Sequence, residues 1–376
     1  MSYDLRIWGR RFEDFTSRFP VGEGWSRSAR GLARATRSWQ LVIGFAQRVE
    51  PEDVPREASE LLPGLTCLVE LSLEPVSAPA SARAALMTAA QRVAEELAGL
   101  VEDPQEGTLR LPRGSKRFIK PPRVERLAVL DLSWWYLNSP LRSEGGVAQL
   151  LALLHRHLPE AVPRRYGLWE PPPFKTEDAG IEALADFLSQ HLDDSPVLYP
   201  TRPVVSMHIG DCNGATHPRF GFRANSLSIH VEAAVLSQPG WDRAIRNTWR
   251  AVAQLLQPFY GEARVLADFL WHGATTAGDM KTEVHPVRSW FWRGIPPKPG
   301  LAMVLGKPYA VLWTPPGSVS DAGLIFVEQE HWTSLKPLPF QVPPALAQPW
   351  RPTWVEQPGG GRTLNWSDAR AANFPF

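Results

Sequence analysis

Cysteine is almost missing from this sequence: two in 376 residues, Cys67 and Cys212, far apart in the chain. That excludes a disulfide framework and makes a reducing compartment the simpler expectation. No apolar run approaches the ~20 residues needed to span a bilayer. The opening MSYDLRIWGRRFEDF lacks the apolar core of a secretory signal, and its charges come too soon. A cytoplasmic protein with no membrane partner is expected. Charge of one sign is lacking too, since Lys+Arg 40 against Asp+Glu 39 leaves +1. That balance disfavours a dedicated nucleic-acid binder, which usually carries a basic surplus, although a local basic patch stays open. GxGxxG, P-loop, GxSxG and kinase signatures are absent, as are CxxC and HExxH pairs. Those absences lower the standing of nucleotide-dependent enzymes and of the common zinc centres.

What is present is a globular composition, 44% hydrophobic with 16 tryptophans. The length exceeds what one core normally serves, so two or three domains are expected. YDLRIWG and WQLVIGFAQRV read as strands around an irregular arginine-rich stretch. EPEDVPREASELLPG reads as a short helix stopped by Pro63 and Gly64. In LTCLVELSLEP, Leu65, Cys67, Val69, Leu71 and Leu73 share one face of a strand, and Cys67 reads there as a small buried hydrophobe. SAPASARAALMTAAQRVAEELAGL predicts a helix capped by Ser77 or Ser81 and ended by Gly99, with Leu86, Ala89, Ala90, Val93, Leu97 and Leu100 forming its apolar stripe. Two short strands follow. Glu102, Asp103 and Glu106 lie at their turn, where they read as turn residues more than as an acid–base pair.

The basic, proline-containing segment 113–126 predicts a linker between a small α+β domain at 1–112 and a larger one at 127–335. LAVLDLSWWYL opens the second as a strand. Helices are expected at GGVAQLLALLHRHLPEAVP, with Val147, Leu150, Leu151 and Leu154 inward, at TEDAGIEALADFLSQHL, capped by Thr176, and from about Trp241 to Tyr260, the last interrupted near Pro258. Residues 336–376 read as an irregular Pro/Trp-rich tail. The fold class is α+β: two sheet-plus-helix domains in tandem followed by that tail.

The densest chemistry lies in VVSMHIGDCNGATHPRFGF, residues 204–222. His208, Asp211, Cys212 and His217, with His230 and Glu232 on the next strand, are residue types that zinc accepts. Gly210, Asp211, Asn213, Gly214 and Pro218 are also turn formers, so a strand–loop–strand without metal is the first expectation. Trp134, Trp135, Trp169, Trp290, Trp292 and Trp313 read mainly as core, and where exposed as protein-interface anchors.

RRYGLWEPPPF at 164–174, FWRGIPPKPG at 291–300 and GKPYAVLW at 306–313, in that order, resemble immunity proteins of bacterial polymorphic-toxin and type VI secretion systems. The similarity spans roughly residues 127–335. It implies a soluble α+β protein that neutralises a partner toxin by stoichiometric binding, without a cofactor. Trp292, Arg293 and Tyr309 would then contact the partner, with Arg165 and Glu170 as further candidates. Arg165 also has a purely structural reading, pinning the chain across a sheet by pairing with Glu170 or a neighbouring carboxylate. The alternative is a metal-dependent hydrolase using His208, Asp211, His217 and His230.

Overall fold

The computed structural model describes residues 2–12, 24–28, 31–112, 114, 116–118, 125–136, 139–210, 225–271, 276–277, 287–288, 291–292, 295–307, 309–347, 354–357 and 361–364. It is α+β, with mostly antiparallel sheets and packed helices, and it divides into two units, Met1–Arg123 and Val124–Phe376.

The first unit is built on strands β1 (Tyr3–Gly9), β2 (Trp25–Ser28), β3 (Gly31–Ala35), β4 (Gln40–Ile43) and β5 (Gln47–Arg48). These are followed by helix α1 (Arg56–Leu61), β6 (Cys67–Glu74), helix α2 (Ala80–Glu96), β7 (Leu100–Asp103), β8 (Thr108–Arg110) and β9 (Lys116–Phe118). The sheet order is β2-β3-β4-β6-β1-β7-β8-β9, with β5 also on β6. Strand period 2 sends Leu5, Ile7, Cys67, Val69, Leu71 and Leu73 to the face that α2 covers with Leu86, Ala90 and Val93. The other face is not bare. Trp8, Leu68 and Leu100 pack there with Val54 and Ala58, around α1. The arginine-rich stretch contains β2 and β3, a hairpin that sequence pattern alone leaves irregular. Neither Ser77 nor Ser81 caps α2; Pro79 stands at that position with no side-chain bond. Within the expected linker, Lys116–Phe118 forms an edge strand on β8.

The second unit begins with β10 (Glu125–Tyr136) and α3 (Gly146–His157), then β11 (Arg165–Gly167), β12 (Phe174–Lys175), α4 (Thr176–Ala179) and α5 (Ile181–Gln190). β13 (Val197–Tyr199), β14 (Val204–Gly210), β15 (Asn225–Glu232), α6 (Trp241–Leu256), β16 (Tyr260–Trp271) and β17 (Thr276–Ala277) follow. Short elements complete it: β18 (Val287–Arg288), β19 (Phe291–Trp292), β20 (Ala302–Leu305), α7 (Tyr309–Leu312), β21 (Val319–Asp321), β22 (Leu324–Glu328), α8 (Pro344–Ala347), β23 (Trp354–Gln357) and β24 (Gly361–Leu364). The main sheet runs β14-β15-β10-β16-β20-β22-β21, and β12-β11-β13 is a separate small sheet.

Leu130, Leu132 and Trp134 of β10 share a core with Leu150 and Leu154 of α3, Leu184 and Leu188 of α5, and Ile245, Trp249 and Val252 of α6. Trp134 stacks on Trp249 at 5.0 Å between centroids, and Trp332 meets Trp249 edge-on at 6.3 Å. On the opposite face Trp135, Tyr260, Met303 and Tyr309 pack with Leu338 and Val342. Two expectations change. The helix from Trp241 stops at Leu256, because Gln257 takes a left-handed backbone (φ 47) and Pro258 follows; Tyr260 then opens the twelve-residue β16. The region after residue 335 is not wholly irregular, since β23 and β24 pair as a hairpin.

Candidate functional site

Two places in the second unit gather the residues singled out by sequence. The first is the sheet face away from α3, α5 and α6. Register decides its contents. Ser206 of β14 lies opposite His230 of β15, His230 opposite Asp131 of β10, and Asp131 opposite Arg264 of β16. Directly opposed side chains stand within reach of each other, so one polar row crosses four strands. The next row along is His208, Ser228, Ser133 and Glu262.

In the first row, His230 Nδ1 lies 2.6 Å from Ser206 Oγ, and its Nε2 lies 3.4 Å from Asp131 Oδ1. Ser133 Oγ donates to the same carboxylate oxygen at 2.5 Å. The His230 ring also packs 4.9 Å from Phe269. Burial works to raise the Asp131 carboxyl, but His230, Ser133 and the charge of Arg264 outweigh it and hold the pKa below the ordinary carboxylate value. His208 retains solvent-accessible surface, yet desolvation and then the neighbouring His230 push its imidazole below the usual value. At the end of the sheet Arg202 joins Glu232 and Glu125 and lies 4.3 Å over the Trp271 ring. Met207, His208 and Ile209 lie near the end of strand β14, as expected. Of the four alternative metal ligands, His208 and His230 stand in adjacent rows, whereas Asp211 and His217 lie outside the described residues. Both nitrogens of His230 are engaged, so a metal would have to displace Ser206 or Asp131. Among the described residues no group of three or more His, Cys, Asp or Glu side chains is arranged to hold a metal.

The second place is the small sheet. β11 and β12 pair antiparallel across residues 168–173, which contain three successive prolines. The buried Arg165 donates from Nε at 3.0 Å and from Nη2 at 2.7 Å to the Pro172 carbonyl, fastening the loop to its own base. Gly167 is required by close approach: a Cβ there would lie 2.5 Å from Pro173 Cδ. Tyr166 packs 5.0 Å from Phe187 of α5 and 5.5 Å from Phe174. Burial raises its phenol pKa. What this scaffold presents outward is Trp169, 60% exposed, with exposed Glu170 beside it and Phe174 at 49%.

Two of the expected contact residues are therefore interior. Arg165 is 3% exposed and Tyr309 1%, so neither side chain reaches a partner. Arg165 pins the chain as its structural reading expects, with the Pro172 carbonyl rather than only a carboxylate among its acceptors, while Tyr309 fills the second core. Glu170 remains on the surface. Trp292 ends the short β18–β19 hairpin, but its side chain, like Arg293, lies outside the described residues. Trp169 lies in RRYGLWEPPPF, and its place between a strand and three successive prolines is the sequence signal for a presented side chain. The carboxylates Glu102 and Asp103 are buried structural acceptors, taking Trp8 Nε1–H and Tyr3 O–H, both at 2.6 Å. No described helix is long and apolar enough to cross a membrane.

The chain matches no family model and no curated protein.

Proposed function

We propose that this protein acts by binding another protein stoichiometrically, as an immunity-like factor that neutralises or regulates its partner in a bacterial conflict or defence system. It would work in the cytoplasm and without a cofactor. The observation that carries the reading is Trp169, held out from a loop that Arg165, Gly167 and three prolines immobilise. A large aromatic on a rigid support loses little conformational entropy on binding, and exposed tryptophans are favoured interface anchors. The resemblance through RRYGLWEPPPF, FWRGIPPKPG and GKPYAVLW supports the same reading. Trp292 and Arg293 stay in the proposed contact set with Glu170.

The test is affinity capture from the native host with the full chain as bait, then calorimetry on the recovered partner. Trp169→Ala should weaken that complex by about 2 kcal/mol, roughly thirtyfold, with the melting temperature unchanged. A bait that retains no protein, or a partner that binds Trp169→Ala and Trp292→Ala as tightly as the parent, overturns the reading. The hydrolase alternative keeps one supporting observation, the adjacent placement of His208 and His230. It requires about one equivalent of zinc in protein purified without chelators, lost in His208→Ala/His217→Ala.

A further inference from the structure

We infer that the surface around Trp169 and Phe174 docks a basic face of its protein partner, one with clustered arginine or lysine side chains. This goes one step past the protein-binding reading, on which it depends, by naming the partner's chemistry. Trp169 lies within one immobilised connection and Phe174 opens the strand that leaves it, backed by Tyr166 and Phe187. An aromatic centre of this kind is what an interface core requires.

Charge identifies the occupant. The whole chain is nearly neutral, yet residues 168–195 carry seven carboxylates and one lysine, Lys175. Asp193 is committed to Arg142 at 2.6 Å and Asp194 to His191 at 2.9 Å. Glu177 and Asp178 on α4 and Glu182 and Asp186 on α5 are exposed. They adjoin Phe174, because α4 starts two residues after it and Phe187 of α5 lies 5.8 Å from its ring. Glu182 and Asp186 are like charges at i and i+4, a spacing that destabilises a free helix. Cationic side chains arriving from a partner would relieve that repulsion. Arginine would also stack on Trp169 while pairing with the carboxylates. A second copy of the same patch would set acid against acid, and nucleic acid or an anionic membrane would be repelled.

The probe is a deca-arginine peptide titrated calorimetrically into the full-length protein over a range of NaCl concentrations. Binding should weaken steeply as salt rises. Glu177→Lys/Asp178→Lys/Glu182→Lys/Asp186→Lys should weaken it at least about tenfold, and Trp169→Ala about fivefold. A control with the same charge change, Glu52→Lys/Glu60→Lys/Glu74→Lys/Glu330→Lys, should bind within about twofold of the parent. Circular dichroism melts establish that each variant folds. Absence of binding by the parent, or equal weakening by the control set, overturns the inference. So does concentration-dependent self-association in sedimentation that Trp169→Ala removes, which would make a second copy the occupant. A native partner that is lost from Trp169→Ala but kept by the four-lysine variant on α4 and α5 overturns the basic partner alone and leaves protein binding standing. A bait that captures nothing defeats the broader reading.

Discussion

Cys67 has no exposed surface, and its thiol donates to the Arg11 carbonyl at 3.2 Å. Burial pushes the thiol pKa up to about 11, because a thiolate there would lose its hydration. Thiolate is the reactive species, so the native thiol is inert at ordinary pH. In a Cys212→Ser background, Ellman's reagent at pH 8 should leave the native protein unmodified and titrate one thiol after denaturation. Rapid native labelling would show that this core opens locally. Cys67 was legible from sequence because its alternation with Val69, Leu71 and Leu73 is a local property, and all four are buried. Arg165 was not. Its partner, the Pro172 carbonyl, becomes available only once β11 and β12 have paired. Tyr309 was misplaced for a similar reason, since the residues that bury it, among them Met303 and Val342, belong to other segments.

β16 shows why an element can escape the sequence. YGEARVLADFLW mixes small and charged residues, and no period-2 apolar face stands out. The strand nonetheless occupies the middle of the sheet, between β10 and β20, so neighbours on both sides define it. Gly261 is its informative residue. A Cβ added there would lie 2.7 Å from Val304 Cγ1 and 3.1 Å from both Trp134 and Trp249. Glycine lets the α6 indole approach the sheet closely enough to stack on Trp134. Gly261→Ala should therefore destabilise the protein by about 1–3 kcal/mol through overpacking. Trimming the nearest obstacle in Gly261→Ala/Val304→Ala should return part of that loss, a coupling readable by urea denaturation. Additive losses would mean that the contact with Val304 is not the source of strain. By contrast α2, α3 and α5 were readable, because amphipathic stripes are written within one segment.

Across the second unit's sheet the two polar rows tie four strands together, and they make its stability depend on pH in two separate windows. His208 has a pKa below its unfolded value of about 6.5, so the unfolded chain takes up its proton first as pH falls. Its contribution is fully present above about pH 6.5 and is lost as pH falls from there through the lowered folded value. Asp131 is also depressed, against an unfolded value of about 3.9. The stability it lends is present above that value and disappears only as pH drops through the still lower folded pKa. Desolvation first, and then the charge of His230, set the sign for His208, while Ser228 opposite it carries no charge. Urea midpoints measured from pH 7.5 down to 5 should therefore fall in the parent and fall less in His208→Gln. Asp131→Asn should behave differently. It should lower the midpoint at every pH in that range, because it removes the carboxylate that holds Ser133 and His230, while leaving the His208 decline in place. A decline between pH 7.5 and 5 that persists undiminished in His208→Gln would place the titrating group elsewhere and remove His208 from the row's energetics.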